Sequence, residues 1–165
     1  MKYTKKHMTS RGFTLIELLV VITIIGTLAG LLFTNFSGAR ERARDAKRKN
    51  DVTQIKSALR LYYNDHQKYP LGNNTQIAGC GLDGTSTCSW GTAFTAGAGP
   101  TIYMNQLPTD PISTQSYSYA QIDDDSYQLT ATLENAGDDS AIKSQLTCGI
   151  LPGATVAKIY MTCQD

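Results

Sequence analysis

Residues 13–33 read FTLIELLVVITIIGTLAGLLF, twenty-one positions whose single charge is Glu17. At about 1.5 Å per residue this is a helix of roughly 32 Å, enough to cross a hydrocarbon core of about 30 Å. A globular helix of that length normally shows a polar face. This one offers only threonines, the glycines Gly26 and Gly30, and one glutamate. The run is longer than the roughly 7–15 apolar residues of a cleaved secretory signal, although the preceding MKYTKKHMTSR is basic. The following TNFSGARERARDAKRKN turns basic and has no A-x-A cleavage site. The stretch is therefore expected to stay in the mature chain as a membrane helix.

Charge divides around this helix. Residues 1–60 carry 12 basic and 4 acidic side chains, and residues 61–165 carry 3 basic and 10 acidic, so the net +1 describes neither part. Lys2, Lys5, Lys6 and Arg11 favour a cytoplasmic N-terminus, whereas Arg40, Arg42, Arg44, Lys47, Arg48 and Lys49 favour the opposite. The cysteines decide. Cys80, Cys88, Cys148 and Cys163 all lie in the polar C-terminal part. An even set of that kind reads as two disulfides in an oxidising compartment, which puts this part outside. Three connectivities are open, and the local one, Cys80–Cys88 with Cys148–Cys163, is the expectation adopted.

The start of the apolar run carries a motif. Residues 11–17 are Arg-Gly-Phe-Thr-Leu-Ile-Glu: a basic leader ends in glycine, and a phenylalanine opens a helix whose fifth residue is glutamate. This closely resembles the processing signal of type IV pilins and type II secretion pseudopilins. The resemblance implies cleavage by a prepilin peptidase between Gly12 and Phe13, N-methylation of Phe13, and an assembly role for Glu17. It also implies partners: copies of itself and other pilins in a filament, an inner-membrane assembly platform, and membrane lipids before assembly. A carboxylate in a bilayer costs several kcal/mol and marks a functional site. Cleavage would place an α-amino group four residues before Glu17, able to neutralise it within one subunit or from a neighbour. The simpler alternative is a glutamate snorkelling to the interface. Gly26-x-x-x-Gly30 has the spacing that lets membrane helices approach closely.

Downstream, Ala39, Ala43, Ala46, Val52, Ile55, Leu59 and Tyr62 or Tyr63 recur at three- and four-residue steps, an amphipathic helix. Tyr69-Pro70 stops it, with its end expected near Asp65. The basic run 40–49 reads as a solvated face or a lipid-headgroup contact. Glu41, Asp45 and Asp51 interleave and no aromatic platform accompanies it, so nucleic acid is not assigned as a partner. Residues 71–106 read as a Gly/Thr/Ser/Asn-rich connector anchored by Trp90, Phe94, Ile102 and Tyr103. Alternation predicts strands over 116–122, 127–133 and 156–162, with Asp123–Ser126 as a hairpin loop. The segments 103–111, 117–119 and 127–129 resemble pilin and pseudopilin heads more loosely.

The expected fold is thus α+β and pilin-like: a long N-terminal helix, its first half embedded in the membrane, packed on a small antiparallel sheet. The expected organisation is a leader over 1–12, a helix over 13–65 with 13–36 in the membrane or filament core, and a disulfide-bearing head over 66–165. No catalytic or cofactor-binding residue is assigned, since G-x-S-x-G, H-E-x-x-H and P-loop motifs are absent and His66 stands alone. No metal ligand is assigned either. Some pseudopilins bind calcium near a C-terminal loop, but Asn135, Asp138 and Asp139 lack EF-hand spacing and read as a solvated turn. The function expected is a non-enzymatic subunit of a surface filament for adhesion, motility or DNA uptake. It would start in the inner membrane as a single-pass protein with the C-terminus outside. The alternatives are a pseudopilin of a type II secretion system and a membrane-anchored binding module that never polymerises.

Overall fold

The structure, a computed structural model, describes residues 12–33, 36–73, 75–97 and 101–164. It divides the chain into two compact units, Met1–Ala39 and Arg40–Asp165. The first holds helix α1, Leu15–Phe33, and the opening residues of α2, Phe36–His66. The junction of the expected single helix, residues 34–35, lies outside the described residues. Side chains are described over 15–30 of α1, a rod of about 24 Å. Among the described residues no helix is long and apolar enough to cross a membrane.

From Arg40 onward the chain builds an α+β head. α2 ends at His66, one residue beyond the expectation, because Tyr69-Pro70 forces extended backbone. Three antiparallel sheets follow among the described residues. The first contains β1 (Leu71–Asn73), β2 (Gln76–Cys80) and β3 (Ser86–Cys88). The second pairs β4 (Phe94–Ala96) with β5 (Thr101–Met104). The third runs β6 (Ser118–Asp123), β7 (Ser126–Thr132) and β8 (Ile159–Cys163), with helix α3 (Asp139–Thr147) between β7 and β8.

The alternating pattern predicts this third sheet well. Tyr127, Leu129 and Ala131 are buried along β7, and Tyr119 on β6 opposite Leu129 is buried with them. The turn is tighter than expected, since Asp123 pairs with Ser126 and leaves only Asp124 and Asp125 in the loop. The connector reading of 71–106 needs correction: the segment holds five short strands. Phe94 and Tyr103 do anchor it, and Trp90 packs on the core, but Ile102 is exposed. Gly79 is required where β2 crosses α2, because a Cβ there would stand 2.8 Å from Pro70 Cβ and 3.3 Å from Tyr62 Cε2.

Val52, Ile55, Ala58, Leu59 and Tyr62 of α2 join these strands in one buried cluster. Disulfides join Cys80 of β2 to Cys88 of β3, and Cys148 after α3 to Cys163 of β8. The second closes a 15-residue separation, worth about 3 kcal/mol in a chain-entropy account. Gln145 of α3 reinforces it: the buried amide donates to Val156 O and Ile159 O at 2.8 and 2.6 Å and accepts from Val156 N at 2.8 Å.

Candidate processing and assembly site

Gly12, Phe13 and Thr14 lead into α1. Thr14 begins the helix chemically. Its N–H donates to Glu17 Oε2 at 2.9 Å, its hydroxyl donates to the same oxygen at 2.8 Å, and Glu17 N–H returns to Thr14 Oγ1 at 3.3 Å. Thr-x-x-Glu is a capping box: two end groups of the helix that lack an intrahelical partner satisfy each other through side chains. The charge of Glu17 in an apolar segment is thus only part of its chemistry. The structure adds that the carboxylate already has a partner in the uncut chain, so a new α-amino group would compete with or share an existing cap.

Over 15–30 the rest of α1 is apolar, and its large side chains are uncovered by any of the described residues. Phe13, Leu15 and Ile16 are 85%, 88% and 71% exposed, and Leu18 to Ile25 show large apolar side chains around the helix. Thr23 and Thr27 donate their hydroxyls to Val20 O and Ile24 O, so these polar groups need no external partner. A Cβ on Gly26 or Gly30 would meet nothing within 4 Å. No contact among the described residues calls for these two glycines, which leaves them available for close approach of another helix.

The head contains a second constellation, at the start of α2. Arg48 is fully buried. Its Nε and Nη2 grip Asp110 Oδ2 and Oδ1 at 2.7 and 2.8 Å, and its Nη1 reaches Asp45 Oδ1 at 2.8 Å and Glu134 Oε1 at 2.7 Å. Arg44 makes its own bidentate pair with Glu134 at 2.7 and 2.6 Å. Asp45 accepts from the backbone N–H groups of Glu134 and Asn135, both at 2.9 Å, which fixes the segment after β7 against the helix. Asp51 is buried and accepts from Tyr117 Oη at 2.7 Å. The solvated-face reading of 40–49 is therefore corrected. Asp45, Arg48 and Asp51 face the head while Ala43 and Ala46 face outward. Burial of Asp45 and Arg48 is tolerated because they are paired and hydrogen-bonded to each other, and buried Asp51 is satisfied by the Tyr117 hydroxyl.

The remaining candidates have local roles. Asp138 caps α3 by accepting from Ser140 N–H at 3.0 Å and is paired with Lys49, while Asn135 Oδ1 accepts from Gly137 N–H at 3.1 Å. His66 stacks on Tyr62 with ring centroids 4.1 Å apart and lies 3.1 Å from Tyr103 Oη. Asp125 accepts from Tyr63 Oη at 2.5 Å.

The clamp has a pH signature. The Arg44 hydrogen bonds, against some burial and with help from Arg48, hold the Glu134 carboxyl at about 2. Lys49 and Ser140 hold Asp138 at about 2. Both values are lowered on folding, so their stabilisation is full above the unfolded carboxylate range and is lost as pH falls from about 4.5 towards 2. Urea unfolding should show a midpoint that falls over this acid window, with a shallower fall in Glu134→Gln. An equally steep fall in that variant would remove Glu134 from the account.

Comparison with known proteins agrees with the motif. The family model for the prokaryotic N-terminal methylation motif matches residues 7–33. The type II secretion system core protein G of Escherichia coli (strain K12) is 36% identical over 101 residues, covering 61% of this chain and 66% of that protein. The protein of the same name from Pectobacterium carotovorum is 41% identical over 68 residues, 41% of this chain and 44% of that one. The type IV major pilin protein PilA of Myxococcus xanthus is 30% identical over 69 residues, 42% of this chain and 31% of that one. The chain thus spans between about a third and two thirds of these relatives. No solved structure matches it. With this motif at the start of an apolar helix and an α+β head after it in the chain, the protein carries the prokaryotic N-terminal methylation motif and is similar to type II secretion system core protein G and to a type IV pilin.

Proposed function

We propose that this protein is the precursor of a structural filament subunit. A prepilin peptidase removes residues 1–12, Phe13 is N-methylated, and the apolar segment 13–33 holds the subunit in the cytoplasmic membrane. The subunit crosses once, with the head outside, and then polymerises through that segment with copies of itself and other pilins on an assembly platform. The observation that carries this reading is α1. It presents large apolar side chains on all faces, its polar groups are internally bonded, and its only charge sits at the motif position of Glu17. Such a surface requires a lipid or helical environment. The two disulfides agree with a head in an oxidising compartment. We assign no enzymatic activity, and adhesion, motility or DNA uptake would be work of the assembled filament.

A pseudopilin in a secretion machine is the second reading, favoured by the name of the E. coli relative, which aligns over 101 residues. Long sheared surface fibres containing this chain support the pilus reading, and their absence with cell-associated subunit supports the pseudopilin. Processing is tested by intact mass of membrane-extracted protein. The expected species begins at Phe13, is about 14 Da heavier for one methyl group, and has a net charge of −3 instead of +1. A Met1 terminus in cells with active prepilin peptidase would refute both filament readings.

A further inference from the structure

The two disulfides of the head sit in different surroundings. Cys80 and Cys88 are 8% and 1% exposed and belong to the buried cluster around Tyr62 and Phe94. Cys148 and Cys163 are half-buried. Both line a cleft of about 560 Å³ bordered by Ile122, Gln128 and Ile150, and both line another of about 170 Å³ bordered by Ser144 and Tyr160. The Cys148–Cys163 bond thus borders open space in two clefts. Thiol–disulfide exchange needs access to the sulfur under attack. That access exists at this bond and is denied at the other.

The backbone at each of these cysteines is held without the bond. Cys148 caps the C-terminus of α3, where Gly149 N–H donates to Leu146 O at 3.1 Å and Ile150 N–H to Gln145 O at 3.0 Å. These are the two bonds of a Schellman motif, and Gly149 has the positive φ, 81°, that the motif requires. Cys163 ends β8 opposite Gln128 of β7, in a ladder that runs back to Ile159 opposite Thr132. From α3, Ser144 Oγ accepts from Met161 N–H at 3.0 Å, and the Gln145 amide holds Val156 and Ile159. These contacts keep the two Cα atoms, 5.7 Å apart, in place when the sulfurs part.

We propose that Cys148–Cys163 is a reversible redox site of the folded head, opened by a dithiol while Cys80–Cys88 stays closed. One thiolate of the dithiol attacks Cys148 Sγ. The Cys148–Cys163 bond breaks, and Cys163 leaves as a thiolate and takes up a proton. The second thiolate of the dithiol then attacks the reagent's own sulfur in the mixed disulfide. That closes the reagent's disulfide and releases Cys148 as a thiolate, which is protonated in turn. Two electrons and two protons pass from the dithiol to the protein, and the reverse sequence recloses the bond. Cys148 is the sulfur attacked because Cys163 is the better leaving group. The negative end of α3 disfavours a thiolate at Cys148, and the more acidic thiol leaves faster. The site lies wholly within the head, so the inference does not depend on the filament reading.

The test exposes the detergent-solubilised full chain to dithiothreitol without denaturant, quenches timed samples with N-ethylmaleimide and maps the labelled cysteines by mass spectrometry. Cys148 and Cys163 should be labelled at least about tenfold faster than Cys80 and Cys88. The circular dichroism spectrum should be unchanged, and the thermal midpoint should fall by about 10 °C. Oxidised dithiothreitol should then restore the same pair. A pulse of 2-mercaptoethanol should leave its adduct on Cys148 and the maleimide on Cys163. The double variant Cys148→Ser with Cys163→Ser reaches the open state without reductant. It should fold, melt at the same lowered midpoint and keep Cys80–Cys88 closed in dithiothreitol. A rate ratio below about tenfold, no opening of either bond, loss of the folded spectrum in the reduced chain or the double variant, or reclosure to another pair overturns the proposal. A mercaptoethanol adduct on Cys163 overturns the assigned order of attack.

Discussion

Replacing Arg48 by methionine is expected to destabilise the head by about 3–5 kcal/mol, the usual cost of removing one partner from a buried ion pair. For a unit of this size that lowers the thermal midpoint by roughly 10–20 °C. The large effect follows from what is left behind. Asp45 and Asp110 are almost as buried as Arg48 itself, with side chains 2% and 1% exposed. Without the guanidinium both lose their compensating charge, and Glu134 keeps only Arg44. Lysine cannot replace arginine here. Asp110 is gripped through two nitrogens in one plane while a third reaches Asp45 and Glu134, and an ammonium lacks that fork. Arg48→Lys should therefore fall nearly as far as Arg48→Met. Adding Asp110→Asn to Arg48→Met should recover part of the loss, because it removes one stranded charge. Circular dichroism melts of the purified chain measure all three. A midpoint for Arg48→Met within about 2 °C of the unaltered chain, well under 1 kcal/mol, would show that the network is spectator charge.

That network also shows where sequence reading stops. Val52, Ile55, Leu59 and Tyr62 announce themselves by helical period, and Tyr127, Leu129 and Ala131 by alternation, because their burial is driven by a local apolar pattern. Arg48 follows the same helical face but is charged, and its partners Asp110 and Glu134 lie 62 and 86 residues away. No window along the chain links them, so a basic run looks solvated. The strands between Leu71 and Met104 are three to five residues long. That is too short for alternation to stand out, and sheet pairing rather than pattern makes them. Two local signals sit on acidic residues and concern helix ends rather than charge. Asp138 followed by a short helical run is an N-cap signal for α3. Thr14-x-x-Glu17 before an apolar run is a capping-box signature.

The capping box sharpens what substitutions at Glu17 should do. In the uncut chain Glu17 Oε2 takes both the N–H and the hydroxyl of Thr14. Two roles are therefore superimposed on one carboxylate, a helix cap and an ionised group in an apolar segment. Glutamine retains the cap, since Glu and Gln both serve at that position, but removes the charge. Thr14→Val weakens the cap and retains the charge, at a cost of about 1 kcal/mol to a helix end. If Glu17 is neutralised by the α-amino group of Phe13 on an adjacent subunit, the pair fixes the axial register between neighbours. Its loss strands a charge in an apolar setting, worth several kcal/mol per subunit. Glu17→Val and Glu17→Gln should then both lower the ratio of sheared to membrane-retained subunit by at least about tenfold, the equivalent of 1.4 kcal/mol. Thr14→Val should leave that ratio within about twofold, a few tenths of a kcal/mol. Cleavage after Gly12 should continue in all three variants, since glycine and leader are untouched, and the head should fold normally because its clamp and disulfides lie beyond Ala39. Filaments preserved in Glu17→Gln but lost in Thr14→Val would assign assembly to the cap, and an unchanged ratio in Glu17→Val would reduce Glu17 to a side chain that snorkels to the interface.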